Sequence, residues 1–499
     1  MKNYFVKILL FLSFVVGISC SKDDNNSTEV TPKPVETTIS SGNTSVSFDA
    51  AGGNSNITIT MTGKDWVVIS DQSWCTTSVS SSSLASQQIT VTATANSLIL
   101  SRAAVLTFVM DGNAQKTIKV TISQAASASL YPSYNANPIA ADASGMSSTA
   151  VELAAKMKLG WNIGNTMEAT GGETAWGNPK VTKALIDLVK ANGFNAIRIP
   201  CSWNQYANAS TAKLQTVWID RVKEVVQYCV DNDMYVIINI HWDGGWLEKN
   251  CTEAQKVENN AKQKAFWEQI ATNLRGFDEH LLFASTNEPN VANATEMAVL
   301  LSYHQTFIDA VRSTGGKNAY RNLIIQGPST DIEQTNKLMT TLPIDTATGR
   351  MMAEVHFYPY QFTLMTKDES WGKMFYYWGA GNHSTTDTAH NPTWGEEADI
   401  DKFFLLMKTQ FVDKGIPVIL GEFGAIRRSN LTGDALTLHL KSRADFYKYV
   451  VKSSKANGMI PFYWDAGGDM GVNTMTLFNR SNNTVFDSQA LNGLLDGLK

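Results

Sequence analysis

Eight short apolar runs separated by amphipathic stretches occupy the chain from residue 148 to its end, and few folds accommodate such a pattern. The runs fall at 159–162, 196–199, 235–240, 281–284, 322–325, 352–355, 417–420 and 459–463. Helical periodicity marks 180–192, 217–232, 260–275 and 399–414 between them. Eight strands, each followed by a crossover, predict an α/β fold of the (β/α)8 TIM barrel type over 148–499. A doubly wound open sheet is the alternative, but it would carry a Gly-rich phosphate loop after an early strand, and none is seen.

The preceding region has a different rhythm. Between residues 40 and 126, alternating runs at 46–48, 57–59, 66–69, 89–92, 104–108 and 118–122 are separated by Gly, Asn and Ser turns. This pattern predicts a small all-β, immunoglobulin-like sandwich, with Phe48, Trp66, Trp74 and Phe108 in its core. Residues 127–147, with Pro132 and Pro138, read as a linker, and 20–39, rich in polar residues, as a disordered tether. A chain of 499 residues suits one large and one smaller domain. Its net charge of −5 argues against nucleic acid as the main partner.

Lys2 and Lys7 flank the start of an apolar run at 8–16 that leads into Gly17, Ile18, Ser19 and Cys20. Residues 1–19 therefore read as a signal peptide, too short to span a membrane permanently. Cys20 after Gly-Ile-Ser resembles a bacterial lipobox, and the acidic 21–26 resembles the export signal of Bacteroidetes surface lipoproteins. That resemblance implies a protein lipid-anchored to the outer membrane through Cys20 and exposed at the cell surface; a monomer is expected. Cys75, Cys201, Cys229 and Cys251 have no metal-ligand spacing, so no metal is expected, and buried free thiols are the favoured reading over a disulfide.

A barrel of this kind presents chemistry at the C-terminal ends of its strands. Strand two contributes Arg198, strand three His241 and Trp242, and strand four Asn287 and Glu288. Strand six contributes His356 and Tyr358, strand seven Glu422, and strand eight Trp464. Two carboxylates facing one mouth suit glycosidic bond cleavage, in which one donates a proton and the other attacks the anomeric carbon. Glu288 fits the acid/base, with Asn287 beside it to hold a sugar 2-hydroxyl. Glu422 fits the nucleophile, kept ionised by Arg198 and hydrogen-bonded by Tyr358, and its charge is expected to raise the pKa of Glu288.

Arg198, His241, Asn287, Glu288, His356, Tyr358, Glu422 and Trp464 together resemble glycoside hydrolase family 5. The stretches 160–166, 173–179 and 356–363 resemble its subfamily four, and 48–52, Trp66, 73–74, Arg102 and Gln124 resemble the BACON module. These resemblances imply a retaining endo-β-1,4-glucanase without a cofactor, whose partner is a polysaccharide. Xyloglucan is the preferred expectation, and cellulose derivatives or mixed-linkage glucan the alternative. They also imply sugar contacts from Trp464, with Asn162, Trp176 and Trp242 as further binding residues, while Trp246, Trp378 and Trp394 could line flanking subsites. The stretch 359–397, with Tyr360, Trp371, Tyr376 and Tyr377, suggests a broad cleft for a decorated chain. A glycan-capturing protein with a degenerate barrel is the competing class, but such a protein would lack one carboxylate. The BACON module reads as a spacer in preference to a binding module.

Overall fold

The computed structural model describes residues 37–96, 101–126, 130–468, 471 and 473–499. The signal peptide and Cys20 lie outside the described residues. The chain divides into two compact units, a sandwich that ends at Gln124 and a unit running from Ala125 to Lys499.

The sandwich has a four-stranded sheet (Ile39–Ser41, Gly53–Met61, Ser86–Ala93, Cys75–Thr77) and a five-stranded one (Ser45–Phe48, Thr117–Gln124, Arg102–Met110, Trp66–Ser70, Ser81–Ser82). Every second residue of the longer strands points inward, as the period of two requires. Phe48, Trp66 and Phe108 are buried there, Trp66 edge-on to Phe108 at 5.4 Å, while Trp74 packs half-buried against the same cluster. These aromatics belong to the core of the unit.

The eight barrel strands are Gly160–Ile163, Ala196–Ile199, Tyr235–Asn239, Leu281–Ala284, Leu323–Gln326, Met351–Phe357, Val418–Phe423 and Met459–Asp465. They pair in parallel and close when strand one meets strand eight, Gly160 opposite Phe462. Helices Lys183–Ala191, Thr216–Val230, Lys256–Leu274, Ala294–Ser313, Ile332–Leu338, Glu397–Gln410, Gly433–Ala456 and Ser488–Asp496 follow the successive strands. Several start at a side-chain cap: Thr182, Asn293, Asp331 and Asp487 each accept from a backbone N–H of the first turn. The outward faces of the strands and the inner faces of the helices form one large apolar layer.

Inside the barrel the side chains lie in layers. Ala196, Ile237, Leu282, Ile324, Met352, Ile419, Ile460 and Phe462 fill the lower part. A short helix, Ala150–Lys156, adds Ala150 and Leu153 to this cluster, and a capping box between Thr149 and Glu152 starts it. Two residues further along the strands the inward positions become polar: Asn162, Arg198, Asn239, Gln326 and Glu354, all fully buried. The apolar floor thus ends where the chemistry begins.

The expected linker needs correction. From Leu130 onward its described part belongs to the barrel unit. Tyr131 and Tyr134 pack on the outer apolar layer, the Tyr134 N–H donates to Glu268 at 2.6 Å, and its hydroxyl donates to the Thr211 carbonyl at 2.7 Å. Ile139–Ala141 pairs with Gly315–Gly316. Pro, Ala and Ser content suggested a spacer, but two tyrosines and backbone pairing decide the outcome. Leu153→Ala should leave a cavity under the barrel and cost about 2–5 kcal/mol, measurable as a lower urea midpoint for the barrel transition. An unchanged midpoint would deny that helix its place in the core.

Candidate active site

Arg198, on strand two, is fully buried and is the hub of the polar layer. Its guanidinium lies 2.9 Å from Glu354 and 2.9 Å from Glu422, and it donates to Asn287 Oδ1 at 2.8 Å and Asn162 Oδ1 at 3.1 Å. A buried guanidinium needs this many acceptors, because desolvation without them would cost several kcal/mol. Asn162 is therefore not a sugar ligand as expected. It is fully buried, and its amide donates to the Gly421 carbonyl at 2.8 Å. It orients Arg198 and the strand that carries Glu422.

Glu422 sits where the ladder slips. Strand seven shifts register against strand six between Val355 and His356, and against strand eight between Leu420 and Phe423. Such irregularities re-aim a side chain, here into the mouth. Gly421 makes room for this, since a Cβ there would lie 2.1 Å from a Glu354 carboxylate oxygen. The Glu422 carboxylate accepts from Arg198 and from the Tyr358 hydroxyl at 3.2 Å.

Glu288 follows strand four, and its side chain is 43% exposed against 8% for Glu422. It accepts from the Thr330 hydroxyl at 3.5 Å and lies 2.7 Å from His356 Nδ1. His356 Nε2 is 3.1 Å from Glu354. Each ring nitrogen thus faces a carboxylate, an arrangement that only the imidazolium satisfies with two donors. Against the cost of burial, the charge of Glu422 and the contacts to Glu288 and Glu354 push His356 up to about 10.

These contacts reverse one expectation about the carboxylates. Burial acts to raise Glu288, but the hydrogen bond and charge of His356 outweigh it and hold Glu288 below its ordinary value. Burial drives Glu422 upward, against the opposing pull of His356 and Arg198. His356 Nδ1 hydrogen-bonds Glu288 at 2.7 Å but stands 3.7 Å from Glu422, whose deeper burial prevails. In the open site, the cation therefore acts on Glu288 more strongly than the neighbouring anion does.

Trp464 and His241 stack at 5.7 Å with 16° between their planes, forming one wall of the mouth. Gly164 is a glycine because a Cβ would meet the Trp464 indole at 2.7 Å. Burial, then the charges of Arg198 and His356, hold His241 well below its ordinary value, so it is neutral. Trp176, Trp242, Trp371 and Trp394 are exposed on loops at this end of the barrel, and Tyr360 on the short helix Tyr360–Thr363. Trp246, Trp378 and Tyr377 are buried, so these three are packing residues and not wall. Trp242 has φ 23° and opens a run of four residues with positive φ that ends at Gly245. The buried Asp243 carboxylate holds this turn by accepting from the Trp203 N–H at 2.8 Å and the Trp246 indole N–H at 2.9 Å.

One ligand atom each of Glu288, His356 and Glu422 lie within 4.8 Å of one another, a spacing that could hold a cation. The chemistry fits poorly, because an imidazolium with both nitrogens donating has no lone pair to offer. The four cysteines Cys75, Cys201, Cys229 and Cys251 are buried free thiols.

Glu354, Thr330 and Glu248 were not singled out from the sequence. Glu354 had a legible signal: it is a lone carboxylate in an apolar strand, two residues before His356 and so on the same face. Glu248 and Thr330 arrive from loops and had none. The raised His356 pKa has a consequence for stability. Its folded value of about 10 lies above the unfolded value of about 6.5. Its contribution is then fully present below pH ~6.5 and is lost as pH rises toward ~10. The unfolding temperature of the wild type should fall over this range more than that of His356→Asn. Parallel curves would refute the imidazolium.

Comparison with known proteins fits this geometry. Residues 162–470 match the cellulase (glycosyl hydrolase family 5) model, and 64–125 match BACON, described as a putative N-terminal binding domain. A xyloglucan-specific endo-β-1,4-glucanase of Bacteroides ovatus is 36% identical, over 99% of this chain and 96% of its own. A Bacteroides ovatus family 5 xyloglucanase solved with a XXXG heptasaccharide has a TM-score of 0.69 at 34% identity, covering 93% of this chain and all of that one. A broad-specificity endoglucanase of subfamily four from Ruminococcus champanellensis has a TM-score of 0.61 at 32% identity, covering 70% of this chain and 98% of that one. The chain belongs to glycoside hydrolase family 5.

Proposed function

We propose that this protein is a retaining endo-β-1,4-glucanase with xyloglucan as its preferred substrate, Glu422 as nucleophile and Glu288 as acid/base. The observation that carries this reading is the close approach of the two carboxylates, with an oxygen of each within 4.8 Å. Retaining pairs are separated by about 5–5.5 Å, whereas inverting pairs need about 6.5–9.5 Å to admit a water.

The chemistry follows from the network. Arg198 holds one oxygen of Glu422 and the Tyr358 hydroxyl the other, which fixes the carboxylate in one orientation. Burial and the charges of Glu422 and Glu288 hold Tyr358 well above the usual phenol range, so it stays a neutral donor. Arg198, His356, Glu354, Glu288 and Glu422 amount to two cations against three carboxylates, and one further proton neutralises the set. A glucan laid across the mouth covers the half-open Glu288 carboxyl, excludes water from it and favours its neutral form. That proton passes to the leaving oxygen as Glu422 forms the glycosyl ester. With the Glu422 charge consumed, His356 stabilises ionised Glu288 as it takes a proton from the incoming water.

The xyloglucan preference rests on the similarity to Bacteroides ovatus xyloglucanase and on the exposed aromatics Trp176, Trp242, Tyr360, Trp371 and Trp394 around the mouth. The broad-specificity relative favours undecorated or mixed-linkage glucan as the second reading. Anchorage through Cys20, with action at the outer cell surface, is proposed from residues 1–26 alone.

Glu422→Gln should lower hydrolysis on the order of 10⁴-fold while the folded protein still binds polysaccharide; retained turnover would reassign the nucleophile. On tamarind xyloglucan kcat/KM should exceed that on barley β-glucan, measured as reducing ends released. The reverse order would select the second reading.

A further inference from the structure

The mechanism above leaves one buried carboxylate unused. Glu248 lies in the loop after strand three, is 7% exposed, and accepts the backbone N–H of Glu288 at 3.0 Å. Its own backbone carbonyl accepts the Asn290 N–H at 2.7 Å. It therefore grips the Asn287–Asn290 turn from both ends of one residue. The turn opens with Asn287, whose Oδ1 accepts from Arg198. With its oxygen held by a cation, Asn287 has a single orientation, which points its amide N–H groups away from the guanidinium.

We infer that Glu248 is a positioning residue for the proton donor, fixing the backbone turn that carries Asn287 and Glu288. This rests on the assignment of Glu288 as acid/base. No cation forms a salt bridge to Glu248 among the described residues. The charged groups acting in and around this pocket are the Glu288, Glu296, Glu354 and Glu422 carboxylates, the Arg198 guanidinium and the His356 imidazolium. The nearby Cys251 thiol is pushed up to about 12 by burial and then by Glu248 itself, so it stays neutral. Burial, then the charges of Glu288 and Glu422, raise Glu248 to about 7 despite its N–H donor. A carboxyl oxygen accepts the Glu288 N–H in either protonation state, so the grip on the turn does not depend on the charge of Glu248.

The test separates proton donation from general structure by leaving-group ability. A β-glucan backbone leaves as an alcohol and needs the acid, whereas 2,4-dinitrophenol from its β-cellobioside does not. For Glu248→Ala, kcat/KM on β-glucan should fall at least about 10-fold and that on the dinitrophenyl cellobioside by less than about 3-fold. Glu248→Gln preserves the shape and one acceptor and should recover most of the kcat/KM on β-glucan that Glu248→Ala loses, whereas Glu248→Asp, which withdraws the acceptor by one methylene, should show the same leaving-group split as the Ala variant. Equal losses on both substrates, or no recovery in Glu248→Gln, would overturn the inference, and the Asp variant decides if the Ala variant does not fold. Glu288→Gln in the same pair of assays distinguishes the two failures. If it shows no leaving-group dependence, the acid/base assignment fails; if it does and the Glu248 variants do not, only the role of Glu248 fails.

Discussion

The ion pairs of the buried Arg198 with Glu354 and Glu422 hold this site together. A guanidinium with no exposed surface, in the middle of a barrel, is tolerable only where its charge is met, and removing one partner of such a pair typically costs about 3–5 kcal/mol. Four neighbours answer it, from strands one, six and seven and the loop after strand four: Asn162, Glu422 and Asn287 accept hydrogen bonds, and Glu354 supplies opposite charge at 2.9 Å. One cation therefore locks the positions of groups drawn from most of the circumference. Preorganisation of this kind lets a carboxylate nucleophile face a sugar without reorganising solvent at the moment of reaction.

The layers beneath make this possible. Eight parallel strands deliver inward side chains at every second residue, so an apolar floor and a polar layer are adjacent rungs of the same ladders. The helix Ala150–Lys156 extends the floor from below with Leu153. Above it, the slipped register of strand seven and the small Gly421 aim Glu422 inward, while Asp243 stabilises the positive-φ turn that carries Trp242. Strain and irregularity are concentrated at the end of the barrel that bears the chemistry, as in many enzymes.

Much of this was legible in the chain because strand ends carry information. All eight barrel strands lie within a few residues of the apolar runs, and the polar residues just beyond them are those that converge on the mouth. Interactions between loops were not legible, since nothing local connects Glu248 or Thr330 to Glu288. Asn162 was misread because its motif position placed it near the site without telling which way a fully buried amide is engaged. The direction of the Glu288 shift failed for a related reason. Spacing along the chain identified an anion as neighbour, but the hydrogen bond from His356 to Glu288 decided the balance. Trp246 and Trp378 show the same limit, as loop tryptophans that pack inward.

The network also explains how one acid can serve twice. His356 is shared between Glu354, which remains buried and ionised throughout, and Glu288, which changes state with the occupancy of the mouth. The central claim is that Glu422, held by Arg198 within reach of Glu288, attacks the anomeric carbon directly. The stereochemistry of the first product tests it. In proton NMR of cello-oligosaccharide or xyloglucan oligosaccharide cleavage, the new reducing end should appear first as the β-anomer and then mutarotate. Initial appearance of the α-anomer would mean that water attacks directly, and would contradict the account.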